Sequence, residues 1–317
     1  MLAPFLQILI LAACSFCSLF VGVADISPLD LFSLSGEQSG IFFVGRLPRL
    51  CSILVAGSSL AVAGLIMQRI MQNKFVSPTT AGTMQWCKLG VVIAVVCLPG
   101  ASPILRVGAA CAVSLLGTFL FLAIVNKVRG QSAVLVPLIG IMLGSVVDAG
   151  ATFFAYKFDI IQNMASWLQG NFSLVIAGKY ELLYLSVPLM FLAYFYADYF
   201  TIAGMGKGTA LSLGLNHAAI VNAGLLIVAL VSSASVVGVG NIPFVGLIVP
   251  NVLAIFKGDG VKNILWDCAW LGALLVLICD IAGRLIIFPY EIPIGVILSV
   301  AGAAVFLVLI RSGRRYV

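Results

Sequence analysis

Apolar runs of membrane-spanning length, repeated along nearly the whole chain, leave it few ways to fold. A helix needs about 20 apolar residues to cross the hydrocarbon core of a bilayer. In lipid, every backbone N–H and C=O must also find its partner inside the protein. Read between glycines, prolines and charges, the sequence predicts ten helices, at about 2–24, 47–71, 80–98, 104–126, 134–156, 181–200, 217–238, 244–257, 263–286 and 293–310. The eighth is short and follows Gly240-Asn-Ile-Pro243, which predicts a half-helix or re-entrant approach. The expected fold class is an all-α polytopic membrane protein, one transmembrane unit over residues 1–317.

Composition agrees with a lipid solvent. The chain is 62% hydrophobic and 9% charged, with mean hydropathy +1.19, where soluble domains carry about 25% charged residues. The net charge of +6 is scattered between apolar runs and forms no block, which excludes a nucleic-acid reading. Cys14-x-x-Cys17 lies inside the first apolar run with no second Cys or His cluster beside it, so it reads as packing thiols. The stretch Leu2–Ala24 lacks a Lys- or Arg-bearing lead and is long enough to span, so it reads as the first crossing helix.

Ten crossings put both termini on one side, and positive charge favours the cytoplasm. With the N-terminus inside, the cytoplasmic connections hold Arg69, Lys74, Lys127, Arg129, Lys207, Lys257, Lys262, Arg311, Arg314 and Arg315. The outer connections hold Arg46, Arg49, Arg106, Lys157, Lys179 and Arg284. Three of these outer charges open or close helices. Arg46-Leu-Pro-Arg49 starts the second helix, where cations oppose the macrodipole, and Arg284 ends the ninth. Two readings fit the pair at 46 and 49: snorkelling toward lipid phosphates, or docking carboxylates of an external partner.

Lys88 and Asp148 lie within apolar runs, where charges are costly and face a cavity or each other. They either pair or separately line a polar path, and their positions in the predicted helices put Lys88 nearer the cytoplasm than Asp148. Between the sixth and seventh helices, Thr201–His217 is a small-residue, weakly polar interval on the predicted cytoplasmic side. Its Gly204-Met-Gly-Lys-Gly-Thr209 has the wrong spacing for a phosphate loop, so the energy source must lie on another chain.

Several blocks, in order along nearly the whole chain, resemble the FecCD family of ABC-importer permeases. They are Arg46-Leu-Pro-Arg49, Ala56-Gly-Ser-Ser-Leu-Ala-Val-Ala-Gly64-Leu-Ile-Met-Gln68, Gln72-Asn73-x-x-x-Ser77-Pro78-Thr-Thr-Ala-Gly82, and Gly206-x-x-Thr209-Ala-x-Ser-Leu-Gly214-Leu-Asn216. Gly240-Asn-Ile-Pro-Phe-Val-Gly246-Leu-Ile-Val-Pro250, Asp280-x-x-x-Arg284 and Glu291-Ile-Pro-Ile-Gly295 complete the series. The stretch after the second helix is similar to the branch serving catecholate-type siderophores.

The resemblance implies a multi-pass permease in a bacterial cytoplasmic membrane. Its implied partners are a second permease subunit (an identical copy or a related chain), two ATPase subunits and an external substrate-binding protein. The chain itself would bind no cofactor, and ATP and Mg would sit on the ATPase. It further implies docking of the binding protein at Arg46, Arg49 and Arg284. A cytoplasmic gate is implied near Gly130, Gln131 and Ser132. ATPase contact is implied at Met205, Gly206, Lys207, Gly208, Thr209, Ala210, Leu211, Ser212, Leu213 and Gly214. Two departures stand out: Lys207 and Gly208 replace acidic residues common in that contact, and Asn251 stands where a histidine is common.

The function expected is a non-enzymatic transport subunit that moves an Fe(III)–siderophore complex inward by ATP-driven alternating access. The alternatives are a haem or cobalamin permease of the same family, or an ion-coupled secondary transporter working through Lys88 and Asp148.

Overall fold

The computed structural model describes residues 3–22, 36–98, 100, 102–128, 135–175, 181–258 and 260–313. Among them the regular structure is helical throughout. The helices are α1 Pro4–Phe20, α2 Gly36–Gly40, α3 Leu47–Ile70, α4 Thr83–Cys97, α5 Pro103–Lys127, α6 Leu135–Lys157 and α7 Ile161–Leu168. They continue as α8 Ser186–Phe195, α9 Ala197–Gly204, α10 Lys207–Ser212, α11 His217–Gly238, α12 Val245–Lys257, α13 Val261–Leu285 and α14 Ile294–Gly313.

Five helical stretches are long and apolar enough to cross a membrane: Gln38–Ile70, Ile104–Val125, Leu135–Lys157, His217–Gly238 and Val261–Leu285. A sixth crossing of the same grade arises if the segments on either side of a 62° bend, Glu181–Phe195 and Ala197–Gly204, count as one span. The single helix expected at 181–200 is thus a broken one. Four shorter apolar helices, α1, α4, α12 and Ile294–Val308 of α14, occupy the other predicted positions. Two of them are curtailed for a local reason: α12 starts only after the Gly240–Pro243 break, and α4 starts only after a long inward loop.

The second predicted helix begins earlier than its proline suggested. A π-turn at Ile41–Arg46 joins α2 to α3, and the Leu47 N–H reaches back five residues to the Phe42 carbonyl. Pro48 has no N–H to offer, and the widened turn carries the helix across that gap.

α3 is the axis of the bundle, with α13, α12, α11, α8 and α9 packed around it. Residues 59–67 of α3 are buried on every side. Such contact is possible because the helices meet backbone to backbone. A Cβ on Gly57 would lie 2.6 Å from the Gly272 carbonyl oxygen of α13, and one on Gly246 of α12 would lie 2.8 Å from that of Leu60. Small residues allow this approach where lipid supplies no hydrophobic drive between helices.

α12 carries Pro250 in its interior, which leaves the Gly246 carbonyl without its helical donor. Gln68 of α3 supplies a replacement: its Nε2 donates to the carbonyls of Gly246 at 3.4 Å and Leu247 at 3.2 Å. Gln68→Leu is expected to leave the Gly246 carbonyl unpaired, whereas Leu247 keeps its bond from Asn251 Nδ2 at 2.8 Å, and to destabilise the protein by about 1–3 kcal/mol. The thermal midpoint in detergent measures this, and an unchanged midpoint would mean that Gln68 is not the group that satisfies Gly246.

The Gly140-x-x-x-Gly144 face of α6 receives a loop instead of a helix. Residues 71–82 turn inward, burying Val76, Ser77 and Ala81. Gly82, at φ +80°, would place a Cβ 3.0 Å from the Gly140 carbonyl oxygen and 3.3 Å from the Gly144 Cα. Only glycine takes both that backbone conformation and that contact.

Candidate functional site

The arginines at 46, 49 and 284 gather at one end of the bundle, where α3, α13 and the segment leading into α14 meet. Asp280, only 3% exposed, joins two of them. Its Oδ1 accepts from Arg49 Nε at 3.2 Å and Nη2 at 2.8 Å, and its Oδ2 accepts from Arg284 Nη2 at 2.6 Å. Arg49 Nη1 also donates to both carboxylate oxygens of Glu291, at 3.0 and 2.9 Å. Arg284 is itself buried and donates further to the Ser18 hydroxyl at 2.5 Å and to the carbonyls of Ser18 and Val21 at 2.9 and 2.7 Å. Arg46 donates to the Leu19 carbonyl at 2.6 Å.

All three guanidinium groups therefore hold the end of α1 and the α13–α14 connection against α3. The sequence placed Arg284 as an outward-pointing residue, whereas the structure sinks it behind Arg49. An ion pair holds it there: Asp280 lies one helical turn below Arg284 on the same face, an arrangement that closes an i,i+4 pair.

Lys88 and Asp148 are brought together, with Lys88 Nζ 2.7 Å from Asp148 Oδ1 and 3.1 Å from Thr152 Oγ1. Sequence spacing put Lys88 nearer one membrane face than Asp148. The inward loop at 71–82 removes that difference, because α4 starts level with Gly140–Gly144 of α6 and not at the bundle's end. The pair borders an open groove with Gln85, Ser145, Thr152, Phe153 and Tyr156 among its walls.

At the opposite end from the arginines, the polar interval folds as α10 between two positive-φ glycines, Gly206 at +102° and Gly214 at +73°. Met205, Leu211 and Leu213 are 64%, 57% and 59% exposed, while Ala210 is fully buried. Lys207, Gly208, Thr209 and Ser212 are exposed beside them. This stretch rests on the loop after α3, with Gly204 against the Arg69 carbonyl and Gly206 against the Gln72 side chain. Asn251 of α12 donates from Nδ2 to the Lys74 carbonyl of the same loop at 2.7 Å. The gate expected at Gly130, Gln131 and Ser132 lies outside the described residues.

Sequence reasoning missed one buried polar knot. Gln7 Nε2 donates to Asp267 Oδ1 at 2.6 Å, Lys257 pairs with Asp267 Oδ2, Trp266 Nε1 donates to Gln7 Oε1 at 3.0 Å, and Trp270 Nε1 donates to the Gln7 carbonyl at 2.7 Å. An acid inside the predicted helix 263–286 was the available signal. Among the described residues no three of His, Cys, Asp and Glu converge as a metal site.

A helical bundle with apolar spans, a paired charge cluster at one end and a protruding, partly apolar short helix at the other has the form of a polytopic membrane permease. The family model described as the FecCD transport family matches residues 10–312, and the chain belongs to that family. It is 50% identical over 312 residues to the petrobactin import system permease protein YclN of Bacillus subtilis, covering 98% of each chain. It is 38% identical over 310 residues to the ferric-anguibactin transport system permease protein FatD of Vibrio anguillarum, covering 97% of this chain and 98% of that one. Among solved structures, an inward-facing conformation of a metal-chelate type ABC transporter matches with TM-score 0.79 at 23% identity, covering 97% of this chain and 98% of that one. That match concerns the fold alone.

Proposed function

We propose that the chain is the membrane-spanning subunit of an ABC importer that carries a ferric siderophore inward across a bacterial cytoplasmic membrane. The observation that carries this reading is the 50% identity, over almost the whole of both chains, to a permease named for petrobactin import. Petrobactin is accordingly the first chelate to test, ahead of haem or cobalamin.

In this reading the ten apolar helices all cross the membrane, with both termini in the cytoplasm and the arginine cluster facing out. A second permease subunit completes the path, and two ATPase subunits bind ATP and Mg. Nucleotide binds the two conformations of the complex with different affinity, and that difference shifts the population. The segment at 130–132 serves as the cytoplasmic gate. The test is uptake into proteoliposomes holding both permease subunits and the ATPases, with binding protein loaded with ferric petrobactin. ATP-dependent iron uptake is expected. Uptake by this chain alone, driven by a proton or sodium gradient, would instead establish the ion-coupled alternative.

The docking role refines once the arginines' partners are known. Glu291 is 28% exposed and holds Arg49 with the geometry an incoming carboxylate would use. Glu291→Ala is expected to tighten binding-protein docking severalfold at low salt, with the gain fading as salt rises. Unaltered affinity would show that the binding protein does not compete for Arg49. Charge reversal at Arg49 is a poorer test, because it would set a third carboxylate against Asp280 and Glu291.

For the ATPase contact, Gly208 is the informative position. A Cβ there meets nothing within 4 Å, so bulk is tolerated by the chain itself, whereas bulk at the fully buried Ala210 would disturb packing first. Gly208→Trp is expected to leave the subunit folded and reduce transport per ATP hydrolysed about tenfold or more. Normal coupling in this variant would place the ATPase contact elsewhere.

A further inference from the structure

The Lys88–Asp148 pair is unevenly buried. The Lys88 side chain is 12% exposed, whereas that of Asp148 is 46% exposed, in the middle of a 23-residue apolar helix. A carboxylate turned toward lipid costs about 2.5–3.5 kcal/mol on insertion scales. A purely structural pair would bury both partners, as Asp280 and Arg284 do. Here only the ammonium is sunk, held by Asp148 Oδ1 and Thr152 Oγ1. Asp148 Oδ2 accepts no hydrogen bond from the described residues.

The groove around that carboxylate offers further acceptors. The Ser145 hydroxyl proton is committed to the Ile141 carbonyl at 2.8 Å, which leaves its lone pairs free. Phe153 and Tyr156 also line the groove, aromatic side chains of the kind that attract a cation. An anionic group entering this groove would meet a carboxylate before it met Lys88.

We propose that this groove is a subsite of the translocation path that takes a protonated amine carried on the passing chelate. The proposal rests on the importer reading above. Asp148 receives the ammonium, and Lys88, paired with it through Oδ1, offsets part of its charge. The partial offset suits a site of transit, where binding must be strong enough to admit the ligand and weak enough to release it.

The experiment uses the full complex in proteoliposomes and two ferric bis-catecholate chelates. One bears a free secondary amine, and the other is the same molecule N-acetylated. Both are delivered on binding protein loaded to equal occupancy. Wild type is expected to import the amine form about tenfold faster, the scale of one hydrogen bond to a charged group. The doubly neutral variant Lys88→Met with Asp148→Asn, which leaves no lone buried charge, is expected to import the two at the same rate. A preference kept by the double variant overturns the subsite, as does a wild type that shows no preference. A double variant that fails to assemble with the second permease subunit also overturns it, and assigns the pair to a subunit contact. A wild type that imports neither chelate overturns the importer reading together with the subsite.

Discussion

Asp280→Ala is expected to be the most damaging single change at the arginine end of the bundle, costing about 3–5 kcal/mol. One carboxylate, 3% exposed, there bridges two guanidinium groups. Removing it leaves Arg284 buried with only neutral acceptors, the Ser18 hydroxyl and the carbonyls of Ser18 and Val21. It also leaves Arg49 with Glu291 as its one carboxylate partner. The loss exceeds the worth of the pair because an uncompensated buried charge remains. Glu291→Ala is expected to cost about 1 kcal/mol or less, since Glu291 is partly solvated and Arg49 keeps Asp280. Thermal unfolding of the two variants in detergent decides the matter. Equal midpoints would mean that Asp280 does not organise the cluster. The order also separates roles: Asp280 belongs to folding, and Glu291 is the carboxylate the cluster can lose.

The sequence made the crossing helices legible because each apolar run has to satisfy its own backbone in lipid. α3, α5, α6, α11 and α13 follow directly from that rule. What spacing alone did not convey was depth. It assumes that a connection between helices sits at the membrane face, and the loop at 71–82 violates that assumption by entering the bundle as far as Gly140 and Gly144. Lys88 was therefore placed too near one face, and its pairing with Asp148 stayed open until the loop was seen. The same limit hid the break at Tyr196, since the residues that interrupt the run from 181 to 200, Pro188 and Asp198, do not stand at that position.

Charge identity was legible, and charge engagement was not. Arg46, Arg49 and Arg284 stood out as outer positives, yet the acceptors that join separate helices lie far away in the chain: Asp280 and Glu291 are 231 and 242 residues from Arg49, and Ser18 is 266 from Arg284. Only the packing of α13 along α3 and α1 brings them together. Gln7 and Asp267, 260 residues apart, escaped notice for the same reason. The protruding stretch around α10 was legible as a composition change. Its physical form, exposed Met205, Leu211 and Leu213 over a buried Ala210, required the fold.

Gly64→Val is expected to prevent the protein from folding. A Cβ at Gly64 would land on the backbone of Gly246, so no side chain can rotate away to make room. The helices would have to part by an ångström or more, which would also break the Gln68 hydrogen bonds to Gly246 and Leu247. The combined loss is several kcal/mol, comparable with the whole margin of about 5–15 kcal/mol that keeps a protein folded. Gly150→Ala is the matched control. Gly150 also lies inside a helix, but a Cβ there meets nothing within 4 Å. Alanine should be neutral or stabilising by up to about 1 kcal/mol through helix propensity. Yield of monodisperse protein after membrane extraction, followed by thermal unfolding of what survives, compares the two. A Gly64→Val protein as well behaved as Gly150→Ala would refute the backbone contact between α3 and α12. That contact seats α12 beside Gln68, and through Asn251 it ties α12 to the loop on which the α10 stretch rests.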